Sequence, residues 1–446
     1  MQVILSHVRR TLFGVLLCFI SVAACVQDSG PVTKGGDTPA PTDMLQQRAV
    51  YGNDDRMDYY AHPSLALRKL TQESTVALMD VDDLNMSDSS RTIFFSKTLQ
   101  ESLNLCSNQR FLQDPTPAFC SGTLIDDDLV LTAGHCIKGP RSCSSTRFVF
   151  KYYRTGATTL ESSTWEDVFS CKRVVVRNTS TVAGRQLDYA VVRLDRPVNS
   201  SRAFPASVRV SNTALPVGAK LAVIGTGSGI PFKIDSGGQV HDPRGSTLDY
   251  FVGDTDTFGG NSGSGVYVSS NGNYFLAGIL VGGSPDYVEA PDGECNVVND
   301  CQDGSCSGEE ITYVRPAIDA YCAVDTSVRL CGGQLPPTPV TFSFQASNTN
   351  NARRDTITRD VTLSAGQTLY VGTAMVHLAT ATGDTYLRLY RRGASADEFV
   401  AVAHNDDAYD SLSHIRYTAT VAGTYQIRVG CALDSFCAGR VAYVIR

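Results

Sequence analysis

The stretch Asp256-Thr257-Phe258-Gly259-Gly260-Asn261-Ser262-Gly263-Ser264-Gly265 sets two serines among four glycines, just ahead of the apolar run Val266-Tyr267-Val268. A serine hydroxyl is a poor nucleophile and needs a base to take its proton. It also needs N–H groups aimed at the oxyanion that forms on the attacked carbonyl. Glycines flanking it let the backbone turn tightly enough for such groups to converge. The plain alternative is a Gly/Ser turn between strands. Within the region around it, His62, His135 and His241 are the imidazoles that could serve as base.

Two further stretches favour the chemical reading. One is Cys120-Ser121-Gly122-Thr123-Leu124-Ile125 followed by Leu129-Val130-Leu131-Thr132-Ala133-Gly134-His135-Cys136. The other is Leu187-Asp188-Tyr189-Ala190-Val191-Val192-Arg193-Leu194. With the serine stretch, these resemble the histidine, aspartate and serine segments of chymotrypsin-like serine proteases, in that family's chain order. The Gly-Asn-Ser-Gly-Ser form is most similar to the bacterial branch that includes the glutamyl endopeptidases. Val50-Tyr51-Gly52-Asn53-Asp54-Asp55-Arg56 resembles the start of the mature enzyme in that branch. The resemblance runs from about residue 49 to 322.

It implies His135 as general base and then general acid, Ser262 as nucleophile, and the N–H groups of Gly260 and Ser262 as oxyanion hole. Ser264 is the alternative nucleophile. Asp188 opens an apolar strand, so its carboxylate is expected to be buried, where an unpaired charge is costly. Bonding to the imidazole resolves that cost and fixes the tautomer. Asp126, Asp127 and Asp128 read as a solvated turn. A Cys120–Cys136 disulfide would pin the histidine loop. Trypsin carries an aspartate just before its nucleophile to receive a new N-terminal amine. Asn261 stands there, so activation through that ion pair is not expected.

For the substrate pocket, the resemblance singles out Asp256, Leu280 and Gly282. Asp256 lies six residues before Ser262, where trypsin carries its selector for basic side chains; a loop or capping role is the alternative. In Gly278-Ile279-Leu280-Val281-Gly282-Gly283, Leu280 takes the place of the histidine of the glutamyl enzymes. Leucine cannot pair with a carboxylate, so glutamate preference is not expected and an apolar or basic preference stays open.

The elements that must position these residues are short. Runs at 74–81, 148–153, 173–177, 189–194, 221–224 and 274–281 are β-branched or aromatic and separated by turn residues. That pattern indicates an all-β barrel or sandwich. The resemblance selects two six-stranded barrels with the site between them. After the linker 332–339, alternation at Leu369/Val371, Leu387/Leu389 and Tyr425/Ile427/Val429 predicts an independent antiparallel β-sandwich over 340–446. Gly383–Leu389, Asn405–Asp407 and Ala422–Val429 resemble the pre-peptidase C-terminal domain of secreted bacterial proteases. Asp384, Asn405, Asp406 and Asp407 are hard oxygen ligands for calcium, or turn residues. No cofactor is required by the chemistry.

Residues 1–24 read as a secretory signal, with Arg9 and Arg10 ahead of an apolar run. Val22-Ala23-Ala24-Cys25 resembles a lipobox, which would lipidate Cys25 and attach the chain to a membrane; plain cleavage after Ala24 is the alternative. Residues 25–48 form a flexible tether ending at Arg48, a candidate cleavage point ahead of a protease domain at 49–331. Of 14 cysteines, those other than Cys18 and Cys25 are even in number, which fits disulfides in an exported chain. Cys143–Cys171 and Cys322–Cys331 are plausible pairs. Cys295, Cys301 and Cys306 have no histidine nearby, so disulfides are preferred to a metal knuckle, with Cys106 a partner for one of them. A net charge of −7 argues against nucleic acid. The expectation is an exported serine endopeptidase, secreted or an outer-membrane lipoprotein, acting on protein or peptide substrates. The alternative is an inactive homologue acting as a surface adhesion protein.

Overall fold

Six strands close the first barrel in the order Val168–Val182, Arg185–Leu194, Leu129–Thr132, Ala118–Asp126, Thr75–Asp80, Thr146–Val149, and back to the first. Every pairing is antiparallel. This is a computed structural model, and it describes residues 50–445 apart from 183–184, 302–305, 333–338, 377, 394, 396–397 and 409–410. The strand Thr75–Asp80 is buried over five of its six residues, because both flanking strands and the barrel interior cover it. Register shifts at Cys171/Arg173 and Val174/Val176 bend the longest strand, as closure requires.

The second half closes as well: the Lys220↔Gln239 bridge, with Leu221 N–H on Gly238 O and Val240 N–H on Ala219 O at 2.9 Å, joins the segments beside Leu221–Gly225 and Val240–Asp242 and completes the expected six-stranded barrel. Its sheet has eight strands, the first six of which close: Val240–Asp242, Tyr250–Gly253, Glu309–Tyr313, Asn273–Gly282, Gly265–Ser270, Leu221–Gly225, Lys233–Asp235 and Met57–Asp58. The last strand comes from the chain's beginning, so an N-terminal strap completes the sheet. Two helices were not anticipated from the strand-rich pattern. Leu65–Glu73 starts at Ser64, whose side chain accepts from Leu67 N–H. Val314–Val324 buries Val314, Ala317, Ile318, Ala320, Tyr321, Ala323 and Val324, so it is covered around most of its circumference.

The C-terminal region is a sandwich of a five-stranded sheet, built on Phe436–Ile445, and a four-stranded sheet, Ile357–Leu363, Gly423–Cys431, Thr385–Arg392 and Phe399–Asn405. It is not independent. On the five-stranded sheet, Leu369, Val371, Val441 and Tyr443 face the sandwich core, while Tyr370, Ala442 and Val444 join the core of the first barrel. Successive side chains point to opposite faces, so this sheet is buried on both, and the described residues form one compact unit.

Disulfides join Cys106–Cys295, Cys120–Cys136, Cys143–Cys171, Cys301–Cys306, Cys322–Cys331 and Cys431–Cys437. Cys18, Cys25 and Arg48, with the signal and tether readings, lie outside the described residues.

Candidate active site

Asp188 is fully buried and its two oxygens are committed to one turn. Oδ1 accepts the N–H groups of Gly134 and of His135, the latter at 3.1 Å. Oδ2 lies 2.5 Å from His135 Nδ1. The carboxylate therefore fixes the backbone that carries the imidazole as well as the ring. With Nδ1–H donating to Asp188, the tautomer assigned from this pairing leaves Nε2 as a proton acceptor. Gly134 is needed here for space. A Cβ on it would collide with the carbonyls of Asn178 and Tyr189 and with Asp188 Oδ1. The Cys120–Cys136 disulfide holds the far end of the same turn.

The serine loop is tied to both halves of the molecule. Ser121 in the first barrel donates its N–H to Ser262 O at 2.8 Å and its hydroxyl to Gly260 O at 2.9 Å. From the second sheet, Leu280 O accepts Gly263 N–H at 2.8 Å. Positive φ at Gly260 (93°) and Gly263 (83°) shapes the backbone on either side of Ser262. Ser262 thus sits at the seam between barrel and sheet. Ser264 does not compete for the nucleophile's role. It is fully buried, and its hydroxyl donates to Asn261 Oδ1 at 2.9 Å.

The other imidazoles are excluded by their partners. His62 Nδ1 accepts Ser64 N–H at 3.1 Å, so the ring proton sits on Nε2, which faces Ser236 Oγ at 3.2 Å as a donor. A base for that serine would have to accept instead. His241 is exposed and pairs with Asp254 at 2.8 Å.

The pocket residues need correction. Asp256 does not present a carboxylate to a substrate. It is 4% exposed, and its oxygens accept Tyr51 N–H at 2.8 Å and Asp55 N–H at 2.7 Å. It anchors the strap. Its N–H in turn donates to Asp235 Oδ2 at 2.9 Å. Burial pushes Asp256 up to about 7, against the pull of the two N–H donors. Burial, and then the neighbouring Asp256, push Asp235 up to about 8. Leu280 is fully buried among Leu221, Val223, Val240 and Phe251 and belongs to the second core. Gly282 is buried and pairs with Glu310 across a register shift.

A further buried carboxylate beside the serine loop is Glu309, which was not singled out from the sequence. It is fully buried. Thr257 Oγ1 donates to it at 2.6 Å and Tyr51 OH at 3.2 Å. Any Cβ on Gly283 would collide with its carboxylate. The available signal was Glu309-Glu310 opening an apolar strand: with a period of two, one of two adjacent glutamates must face inward.

In the sandwich, Asp384, Asp406 and Asp407 bring carboxylate oxygens within 4.8 Å of one another. Asn405 Oδ1 accepts His414 N–H at 2.9 Å, which takes one of its two lone pairs. Burial, then Asp407 and Asp384, raise the Asp406 pKa.

A closed antiparallel barrel joined to a second sheet, with a histidine–aspartate pair and a glycine-framed serine at the seam, is the architecture of the trypsin fold. Residues 102–300 match the family model Trypsin, a span that holds His135, Asp188 and Ser262. That part of the chain is a trypsin-fold domain. No curated protein matches the chain.

Proposed function

We propose that this chain is an exported serine endopeptidase. Ser262 Oγ attacks the scissile carbonyl while His135 Nε2 takes its proton. The N–H groups of Gly260 and Ser262 stabilise the oxyanion. His135 then gives the proton to the leaving amine, and water repeats the sequence to release the acyl group. Asp188 orients the ring and stabilises the imidazolium. The observation that carries this reading is the Asp188 carboxylate, fully buried and bonded to both ring and turn.

Within this reading Glu309, fully buried with its oxygens on Thr257 and Tyr51, braces the serine loop against the strap and faces no substrate, so an apolar or a basic preference at the cleaved position stays open. Support for this role is its place between Thr257 on the serine loop and Gly283 at the end of the adjoining strand. The sandwich carboxylates Asp384, Asp406 and Asp407 are oxygen ligands of the kind calcium takes, and a bound cation would relieve their mutual repulsion. Export is supported by the paired cysteines. Among the described residues no helix is long and apolar enough to cross a membrane. Membrane attachment is proposed through lipidated Cys25, and release by cleavage after Arg48.

The test is labelling by a fluorophosphonate probe together with hydrolysis of a peptide library. Wild type should be labelled and should cleave members of the library. Ser262→Ala should do neither. An unlabelled wild type would leave the inactive homologue as the better reading.

A further inference from the structure

Arg177 joins three parts of the molecule. It lies on the strand Val168–Val182, which pairs with the strand carrying Asp188 at Thr179↔Asp188. Its Nε donates to Gly134 O at 2.7 Å. Its Nη1 donates to Ala408 O at 3.0 Å, in the turn that follows the sandwich strand Phe399–Asn405.

Gly134 O and His135 N belong to one peptide plane, which moves as a unit. Arg177 holds the oxygen of that plane and Asp188 accepts from its N–H at 3.1 Å. The peptide leading into the histidine is therefore clamped from both sides. A guanidinium suits this task, because its fork of donors can reach two carbonyls at once.

The sandwich reaches the same hairpin by its apolar outer face. Tyr370, Ala442 and Val444 pack into the core that contains Val174, Val176 and Tyr189. Tyr189 follows Asp188 in the chain and is 3% exposed, and Arg416 and Tyr370 lie close enough to act on it electrostatically.

We propose that the C-terminal sandwich is a structural part of the active centre, and that Arg177 is a positioning residue through which it holds His135 against Asp188. The proposal rests on the roles given above to His135, Asp188 and Ser262. It differs from a tethered accessory domain, which would add binding without touching turnover.

The experiment uses the full chain with Arg177→Gln, Arg177→Lys, Tyr370→Ala and the Arg177→Gln/Tyr370→Ala pair. Ser262 is titrated with the fluorophosphonate so that kcat is given per active site, on one peptide that wild type cleaves, well below the melting temperature. Arg177→Gln should lower kcat about tenfold with KM within about twofold, the size expected of a small misplacement of a reacting group. Arg177→Lys, which keeps a donor but loses the fork, should recover part of that loss. Tyr370→Ala should lower kcat in the same direction, and the pair should lose less than the product of the two. Full kcat per titrated site in Arg177→Gln, with only the melting temperature lowered, overturns the proposal whether or not Tyr370→Ala folds. So does an unchanged kcat in a folded Tyr370→Ala. A wild type that the probe does not label would instead overturn the underlying assignment of the triad, and this inference with it.

Discussion

Two attachments flank the barrel and the second sheet, and they are held by opposite physics. The N-terminal strap is held by polar contacts. Asp256 takes its Tyr51 and Asp55 N–H groups, and Val50 N–H donates to Asn299 O at 3.1 Å. Lys233 Nζ bridges Asp58 at 2.5 Å and Asp114 at 2.7 Å. The C-terminal sandwich is held by an apolar sheet face, with Arg177 as a polar link. Hydrogen bonds to buried charged acceptors depend on protonation, whereas apolar burial does not. The strap's hold should therefore vary with pH and the sandwich's should not. The candidate active centre lies where the barrel and the second sheet meet, so each attachment can be loosened and its effect on turnover read separately.

The largest effect should come from the seam itself, where neither attachment can compensate. Ser262→Ala is expected to lower kcat by about a millionfold, and Asp188→Asn by about ten-thousandfold through the wrong tautomer. Both chains should keep their melting temperature within a few degrees if the effect is chemical. Titration with the fluorophosphonate and thermal unfolding check this pair of outcomes. Retained turnover in Ser262→Ala would remove the seam as the reacting site.

Next in size is the charge that the strap covers. Tyr51 places its hydroxyl on Glu309, so the strap and the serine loop share this carboxylate. Glu309→Gln should lower stability by about 2 kcal/mol, since two buried hydroxyls lose a charged acceptor, and should leave the residue preference at the cleaved position within about twofold. Asp256→Ser should leave that preference as it was. Profiles on a peptide library check both, and a changed preference in either variant would make its carboxylate a selector.

The strap's own anchor should show a similar effect on stability. Asp256→Ser removes the acceptor of the Tyr51 and Asp55 N–H groups and should cost about 2 kcal/mol by the penalty for unpaired buried donors. The pH dependence has a definite sign. Asp256 at about 7 and Asp235 at about 8 hold protons in the folded chain that the unfolded chain releases near its ordinary carboxylate range. Their contribution is complete below that range and is lost as pH rises through about 7 to 8. Wild type should therefore melt lower at pH 9 than at pH 6, and Asp256→Ser should show a shallower fall. A steeper fall in the variant would contradict the strap's protonation.

The candidate seam could be picked out in the sequence because three segments resemble one family's, in that family's chain order, though triad chemistry itself does not require that order. His135, Asp188 and Ser262 are irreplaceable types, and glycines frame them. The first barrel was legible from β-branched runs such as 74–81. The docking of the sandwich was not. Alternation at Leu369 and Val371 marked one buried face, but Tyr370 between them can sit in water or against a second core. Arg177 gave no signal either, because the carbonyls of Gly134 and Ala408 that it reaches are backbone groups, which every residue carries. Asp256 was placed by its distance from Ser262, yet spacing along the chain says nothing about which N–H groups reach a carboxylate. The strap that reaches it lies some 200 residues away, with sequence separations of 205 and 201.

The smallest expected effect concerns cleavage after Arg48, and it distinguishes this strap from the activation peptide of trypsin. There a new amine forms an ion pair beside the nucleophile. Here the residue before Ser262 is Asn261, and its Oδ1 accepts from Ser264 Oγ. The strap is seated through the amide N–H groups of Val50, Tyr51 and Asp55, which exist whether or not the chain is cut at residue 48. Cutting adds an ammonium at Ala49 but removes none of these donors. Arg48→Gln should therefore keep kcat/KM per titrated site within about twofold of wild type, well inside the tenfold that 1.4 kcal/mol would produce. If the cut serves release, the variant should stay with the membrane fraction while wild type appears in the medium beginning at Ala49. A tenfold fall in kcat/KM for a folded, titratable Arg48→Gln would mean that the new amine takes part in the site, and that the strap's amide contacts do not suffice to complete it.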